Sequence, residues 1–203
     1  MITYRFWDIT SNDKVRAVLA YNKNYEVIYK EGEYDSRYSN VLEEDTVAFH
    51  GSPEYFNEFS QAFIERNEMG YGTYLTFDKE NAYYYTGDDE DGYVYTVVIP
   101  DEDGYNYIYE DKPITKAQYD EIVSPMSEQE LQELSEYGFK EGCTGIQCYN
   151  ALAQLMGEET ASEFLNECVI LGMKYHDLDN KDTYSCVMYS TDYITIIKTE
   201  NAN

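Results

Sequence analysis

The sequence predicts an α+β fold, on three observations. Short β-rich segments open the 203-residue chain, helical segments with cap signals occupy residues 116–171, and two further β segments close it. Strands at both ends with helices between them make an α+β pattern, not a regular alternation. A hydrophobic fraction of 43% at this length can bury a core, giving one domain with a small appendage. Residues 1–40 are set apart as a β-rich appendage and 41–203 as the main domain.

Residues 2–7, 15–20 and 25–29 read as strands, with Asn22-Lys23-Asn24 a hairpin turn and 31–40 a polar loop. Residues 46–49 form a short strand that delivers His50 at its end. Phe56, Phe59 and Phe63 fall near helical spacing until Gly70 and Gly72 interrupt. Residues 74–77 are a strand, and Asp78 is a good N-cap for a helix over 79–85. An acidic loop, 87–92, precedes a strand over 93–99 that Pro100 stops. Residues 101–112 are acidic, tyrosine-rich and irregular. A short helix covers 116–123. Ser127 and Glu130 make a capping box that opens another. Residues 144–156 and 158–171 form a helical pair broken at Gly157. Strands over 171–175, 186–189 and 193–198 finish the chain.

Forty acidic residues face fourteen basic ones, a net charge of −26. A nucleic-acid footprint needs Lys and Arg, so direct nucleic-acid binding is not expected. The acidity gives solubility and self-repulsion, and it favours basic protein partners. The chain opens on no charged-then-apolar leader and has no apolar run of about eighteen residues, so no membrane is expected and a cytoplasmic location is. Cys143, Cys148, Cys168 and Cys186 form no C-x-x-C pair and lack zinc spacing to the two histidines, so they read as reduced core thiols with no metal. The four acids of 88–91 lack the alternating ligands of an EF-hand and read as a solvated loop.

The segments that carry chemistry are His50-Gly51-Ser52-Pro53 and Gly70-Tyr71-Gly72-Thr73-Tyr74-Leu75-Thr76, followed by Tyr83-Tyr84-Tyr85. Cleaving the bond between nicotinamide and ribose passes through an oxocarbenium-like state, so the amide ring must be held and the ribose supported. A glycine lets a backbone N–H and C=O close on the carboxamide edge. Aromatic faces can sandwich the ring, and a hydroxyl and an imidazole can hold the ribose. Gly51, Tyr74 with Tyr85, Ser52 and His50 meet these needs in turn. Each residue alone also fits packing: a histidine satisfied at a strand end, a core tyrosine, glycines serving a turn. His176 reads as structural.

Together these motifs resemble the ADP-ribosyltransferase fold of diphtheria-toxin and poly-ADP-ribose-polymerase type. They are most similar to the ADP-ribosyltransferase domains carried in polyvalent proteins of phages and mobile elements. The strand Gly92 to Asp101, the helix from Thr144-Gly145 to Gly157, and the strands Gly172-Met173-Lys174-Tyr175 and Cys186-Val187-Met188-Tyr189 fall in that family's order, over residues 46–198. The resemblance implies two small antiparallel sheets with flanking helices and NAD as co-substrate between them. It implies that His50 holds the ribose, Gly51 grips the carboxamide, and Tyr74 and Tyr85 stack on the ring. The serine that often precedes the second tyrosine by three is Ala82 here. The position of the family's catalytic glutamate is Ser185, with Asp182 nearby. Members without that glutamate carry out single transfers or none. The implied activity is mono-ADP-ribosyl transfer to a protein acceptor, in an anti-defence or host-takeover setting like that of phage anti-CRISPR transferases. A catalytically dead acidic decoy and an NAD glycohydrolase are the alternatives.

Overall fold

The computed structural model describes residues 3–9, 14–20, 31–35, 45–61, 65–67, 69–87, 92–100, 107–176 and 184–202. The backbone divides into two units. One comprises Met1–Thr46 and Pro100–Glu102, the other Val47–Ile99 and Asp103–Asn203.

The first unit is a three-stranded antiparallel sheet of β1 (Thr3–Ile9), β2 (Lys14–Ala20) and β3 (Glu31–Asp35), in that order. The third strand lies where a polar loop is expected. Its register with β2 sets Asp35 opposite Lys14 and Glu33 opposite Arg16. The expected turn at 22–24 and strand at 25–29 lie outside the described residues.

The second unit is built on one mixed sheet. Its strands are β4 (Asp45–Ser52), β5 (Glu65–Asn67), β6 (Gly70–Thr76), β7 (Tyr93–Pro100), β8 (Tyr107–Tyr109), β9 (Gly172–His176), β10 (Tyr184–Met188) and β11 (Thr195–Asn201). Seven run in the order β11-β7-β4-β6-β10-β9-β8, and β5 pairs with β6 beside them. The expectation of two small sheets is therefore corrected. Strand β6 pairs with β4 on one side and β10 on the other, which joins both halves into a single sheet. The edge strand β8, parallel to β9, falls in a stretch expected to be irregular. Its Tyr107 and Ile108 are buried, so tertiary packing decides its state.

The helices are α1 (Lys79–Tyr83), α2 (Lys116–Val123), α3 (Glu128–Glu136), α4 (Gly145–Met156) and α5 (Glu158–Glu167). Thr115, Ser127 and Thr144 each close a reciprocal capping box that satisfies two end amides. Helix α5 ends four residues before the expected stop at 171. Val169 turns left-handed at φ 62°, and the amide of Ile170 returns to the Leu165 carbonyl before β9 begins. The phenylalanine spacing at 56–63 yields no α-helix over the described 53–61, and Phe63 lies outside the described residues.

Side-chain alternation along β10 separates two cores. Val187 joins Ile122, Leu134, Leu152 and Leu165 under the helices. Cys186 and Met188 join Ala48, Leu75, Tyr95 and Ile99 on the other face. All four cysteines are free and buried.

Candidate functional site

Strand β4 runs through His50 and Gly51 to Ser52, so the histidine lies within the strand and not at its end. Its Nδ1 lies 2.8 Å from the carbonyl oxygen of Tyr74 on the neighbouring β6. A carbonyl only accepts, so Nδ1 carries the proton and donates. In the neutral ring Nε2 is then the basic nitrogen. This bond fixes both the tautomer and the tilt of the imidazole.

Gly51 is glycine for a steric reason. A Cβ there would overlap the carbonyl oxygen of Ala82 and press on the Cβ of Tyr85 at 3.0 Å. Helix α1 thus ends directly on the backbone of β4, which brings Tyr85 beside Gly51. Asp78 holds the other end of α1, its carboxylate accepting from the Glu80 amide at 3.0 Å. The buried Ser52 accepts from the Glu54 amide at 3.1 Å and starts the turn that leaves the strand.

The Tyr74 ring points away from this junction. Tyr74 faces Val187 across the β6–β10 pair and packs in the core beneath the helices. Its hydroxyl donates to the Gly70 carbonyl at 2.7 Å and accepts from the Met69 amide at 3.2 Å. Its ring meets Tyr175 edge-on at 6.0 Å. The imidazole of His50 lies on the opposite face, against Phe56, Phe59 and Tyr95. His50 and Tyr74 therefore meet through a backbone carbonyl. The two rings do not flank one ligand cavity as the sequence reading requires. Period-two alternation accounts for this: Leu75, next in the chain, takes the face that His50 occupies.

Ser185, the second residue of β10, lies opposite Thr76 of β6 and Tyr175 of β9, and is buried. It shares a face with Tyr74. The expected catalytic residues thus lie on three successive strands, β4, β6 and β10, with His50 directed to one side and Tyr74 and Ser185 to the other. Asp182 and the acidic loop 88–91 lie outside the described residues.

Three aromatic neighbours of His50 escape the sequence reading. Phe56 stacks on Tyr95 at 4.0 Å and 11°, and Phe59 meets the imidazole edge-on at 5.2 Å. The Tyr95 hydroxyl donates to the Glu54 carbonyl at 3.0 Å and accepts from the Phe56 amide at 2.7 Å. Burial raises the Tyr95 pKa, which keeps this donor protonated. The sequence signal for the two phenylalanines is their Phe-x-x-Phe spacing, which fits a helix as well as this cluster.

His176 is held by its surroundings. Its amide donates to Glu110 at 2.9 Å, its Nε2 lies 3.3 Å from Asp111, and its ring lies on Tyr184 at 4.3 Å. A cavity of about 310 Å³ between α2 and α5, lined by Glu121, Phe164, Glu167 and Cys168 among others, is remote from β4 in sequence and lies on other elements.

The chain matches no family model, no curated protein and no solved structure. Among the described residues no helix is long and apolar enough to cross a membrane.

Proposed function

We propose that this chain is a mono-ADP-ribosyltransferase that takes NAD at the junction of β4, β6 and the end of α1. The observation that carries the reading is the bond from His50 Nδ1 to the Tyr74 carbonyl. It gives Nε2 a lone pair and a fixed direction, the property needed to accept from a ribose hydroxyl. The close approach of α1 to Gly51 supports the same reading, because it brings Tyr85 to the backbone expected to grip the carboxamide. The adjacency of β4, β6 and β10 brings the histidine, tyrosine and serine positions onto neighbouring strands. In this reading Tyr74 contributes its carbonyl, and Tyr85 stands on the Gly51 side of β4, across the strand from the imidazole. The acceptor is a basic protein, attracted by the −26 charge.

By the resemblance Ser185 holds the sequence position of the family's catalytic glutamate, and it is buried between Thr76 and Tyr175, on the face opposite the His50 ring. This favours a second reading, a binder that does not turn NAD over. Incubation with labelled NAD and a host lysate separates the readings. Transfer leaves label on a discrete protein band and is lost in His50→Ala. Hydrolysis leaves free ADP-ribose with no labelled band. Intact NAD with salt-sensitive capture of a basic protein identifies the binder. Turnover that survived His50→Ala would remove the site from β4.

A further inference from the structure

We infer that the tyrosine patch beside Gly51 is a docking surface for an arginine-rich segment of a partner protein. Five large hydrophobic side chains are exposed among the described residues, and three of them lie here: Tyr55 at 58%, Tyr84 at 80% and Tyr85 at 64%. Tyr85 abuts Gly51, Pro53 approaches Gly87, and Tyr55 meets Tyr93 edge-on at 5.3 Å. The other two exposed side chains, Tyr137 and Val169, stand on separate helix ends. Isolated surface aromatics need no account, but three on the two segments that flank one strand–helix junction mark a candidate interaction surface.

The charge around the patch selects the partner. Glu54 and Glu58 are exposed on the segment that carries Tyr55, and Glu80 is exposed on α1. The lysine of α1, Lys79, is engaged 2.7 Å from Glu200, and Lys198 binds the same carboxylate at 3.1 Å. Aromatic faces with exposed acids on the same segments attract cations, and a chain of charge −26 repels phosphate polymers. Arginine fits better than lysine. Its planar guanidinium stacks on a phenol ring, sheds water readily, and still offers donors to the neighbouring carboxylates.

In the proposed reaction this surface would present a basic acceptor at the edge where Tyr85 meets Gly51, so the role as acceptor dock rests on that reading. The binding itself does not. The test uses fluorescein-labelled hexa-arginine and hexa-lysine peptides with the intact protein, without NAD, followed by anisotropy at physiological salt. Hexa-arginine binds more tightly than hexa-lysine of equal charge. Tyr55→Ala with Tyr84→Ala weakens hexa-arginine about five- to twenty-fold, each stacked pair counting for about two- to five-fold. Tyr55→Phe with Tyr84→Phe retains binding, because the ring faces remain. The net charge is the same in all these variants, so bulk electrostatics cannot produce the difference. Equal binding of both peptides, or an alanine variant that binds hexa-arginine like the parent, overturns the inference. A thermal midpoint shared by parent and variants shows that folding is not the cause. NAD turnover on the same samples separates the two claims: binding without turnover removes the transferase reading alone, and turnover without a tyrosine-dependent arginine preference removes the docking surface alone.

Discussion

At the scale of single residues, Gly51 joins the site to the fold. The atom in the way of a side chain is a backbone oxygen of α1, which cannot swing aside as a side chain can. Gly51→Ala should therefore cost about 1–3 kcal/mol in a urea melt. A variant of parental stability would show that α1 does not sit on β4. Cys143 offers a second residue-scale prediction. It lies just before the cap of α4, and its sulfur is bonded by the Cys148 thiol, which holds its pKa down to about 6 despite burial. The partner thiol is pushed well up by that same bond and by its own burial. The ultraviolet absorbance of the thiolate should rise by one equivalent with a midpoint near pH 6, and Cys148→Ala should move that midpoint upward. A single titration well above neutral in the parent would show that the two sulfurs do not share a proton.

Elements here are fixed by a few polar clasps between layers. The turn into β6 is one. Gly70 has φ 112°, and the Tyr149 ring of α4 fills the space where its Cβ would stand. The Tyr149 hydroxyl then accepts from the Tyr71 amide at 2.9 Å, and Ser162 of α5 donates to the Tyr71 carbonyl at 2.7 Å. Tyr149→Phe removes the acceptor of a part-buried amide, which costs about 1 kcal/mol. Amide exchange should accelerate at Tyr71 above all, and unchanged protection there would rule out the clasp. Such clasps show what could be read in the sequence. The cap box at Ser127 is local and was legible, and the helix starts read at 116 and 144 fall within one residue of those found. The strands carrying His50, Tyr74 and Ser185 were legible too, because apolar runs mark them. The side each ring takes was not, since one residue of register reverses it. Strands β3 and β8 were missed for a related reason: each is defined by pairing with a neighbouring strand, β3 with β2 and β8 with β9, and such pairing has no period along the chain.

For the whole molecule, charge is the dominant surface property, and two opposing effects set its pH response. Forty acids against fourteen bases repel one another in the compact state more than in the unfolded chain. Protonating carboxylates as pH falls relieves that repulsion and stabilises the fold. The Lys79–Glu200–Lys198 group works the other way. Burial raises the Glu200 pKa, but the two ammonium groups outweigh it and hold the carboxyl below its ordinary 4.5. A depressed carboxyl stabilises the fold above its unfolded value, and that contribution is lost as pH falls through the folded one. Lys79 is pulled down by burial and raised further by Glu200, so its share is present below its ordinary 10.5 and lost above its folded value. Partial exposure keeps the cluster to about 0–1 kcal/mol per pair. Stability should consequently reach a maximum between neutrality and the acid limb where Glu200 protonates. Salt screens diffuse repulsion with a Debye length of about 8 Å near physiological strength. Added sodium chloride should raise the thermal midpoint at neutral pH, and raise it less at mildly acid pH, where fewer carboxylates remain charged. Glu200→Gln should weaken the acid limb while leaving the salt response at neutral pH. A midpoint at neutral pH that salt leaves unchanged or lowers would show that the −26 charge is already neutralised within the fold, and that it does not form an open acidic surface available to a basic partner.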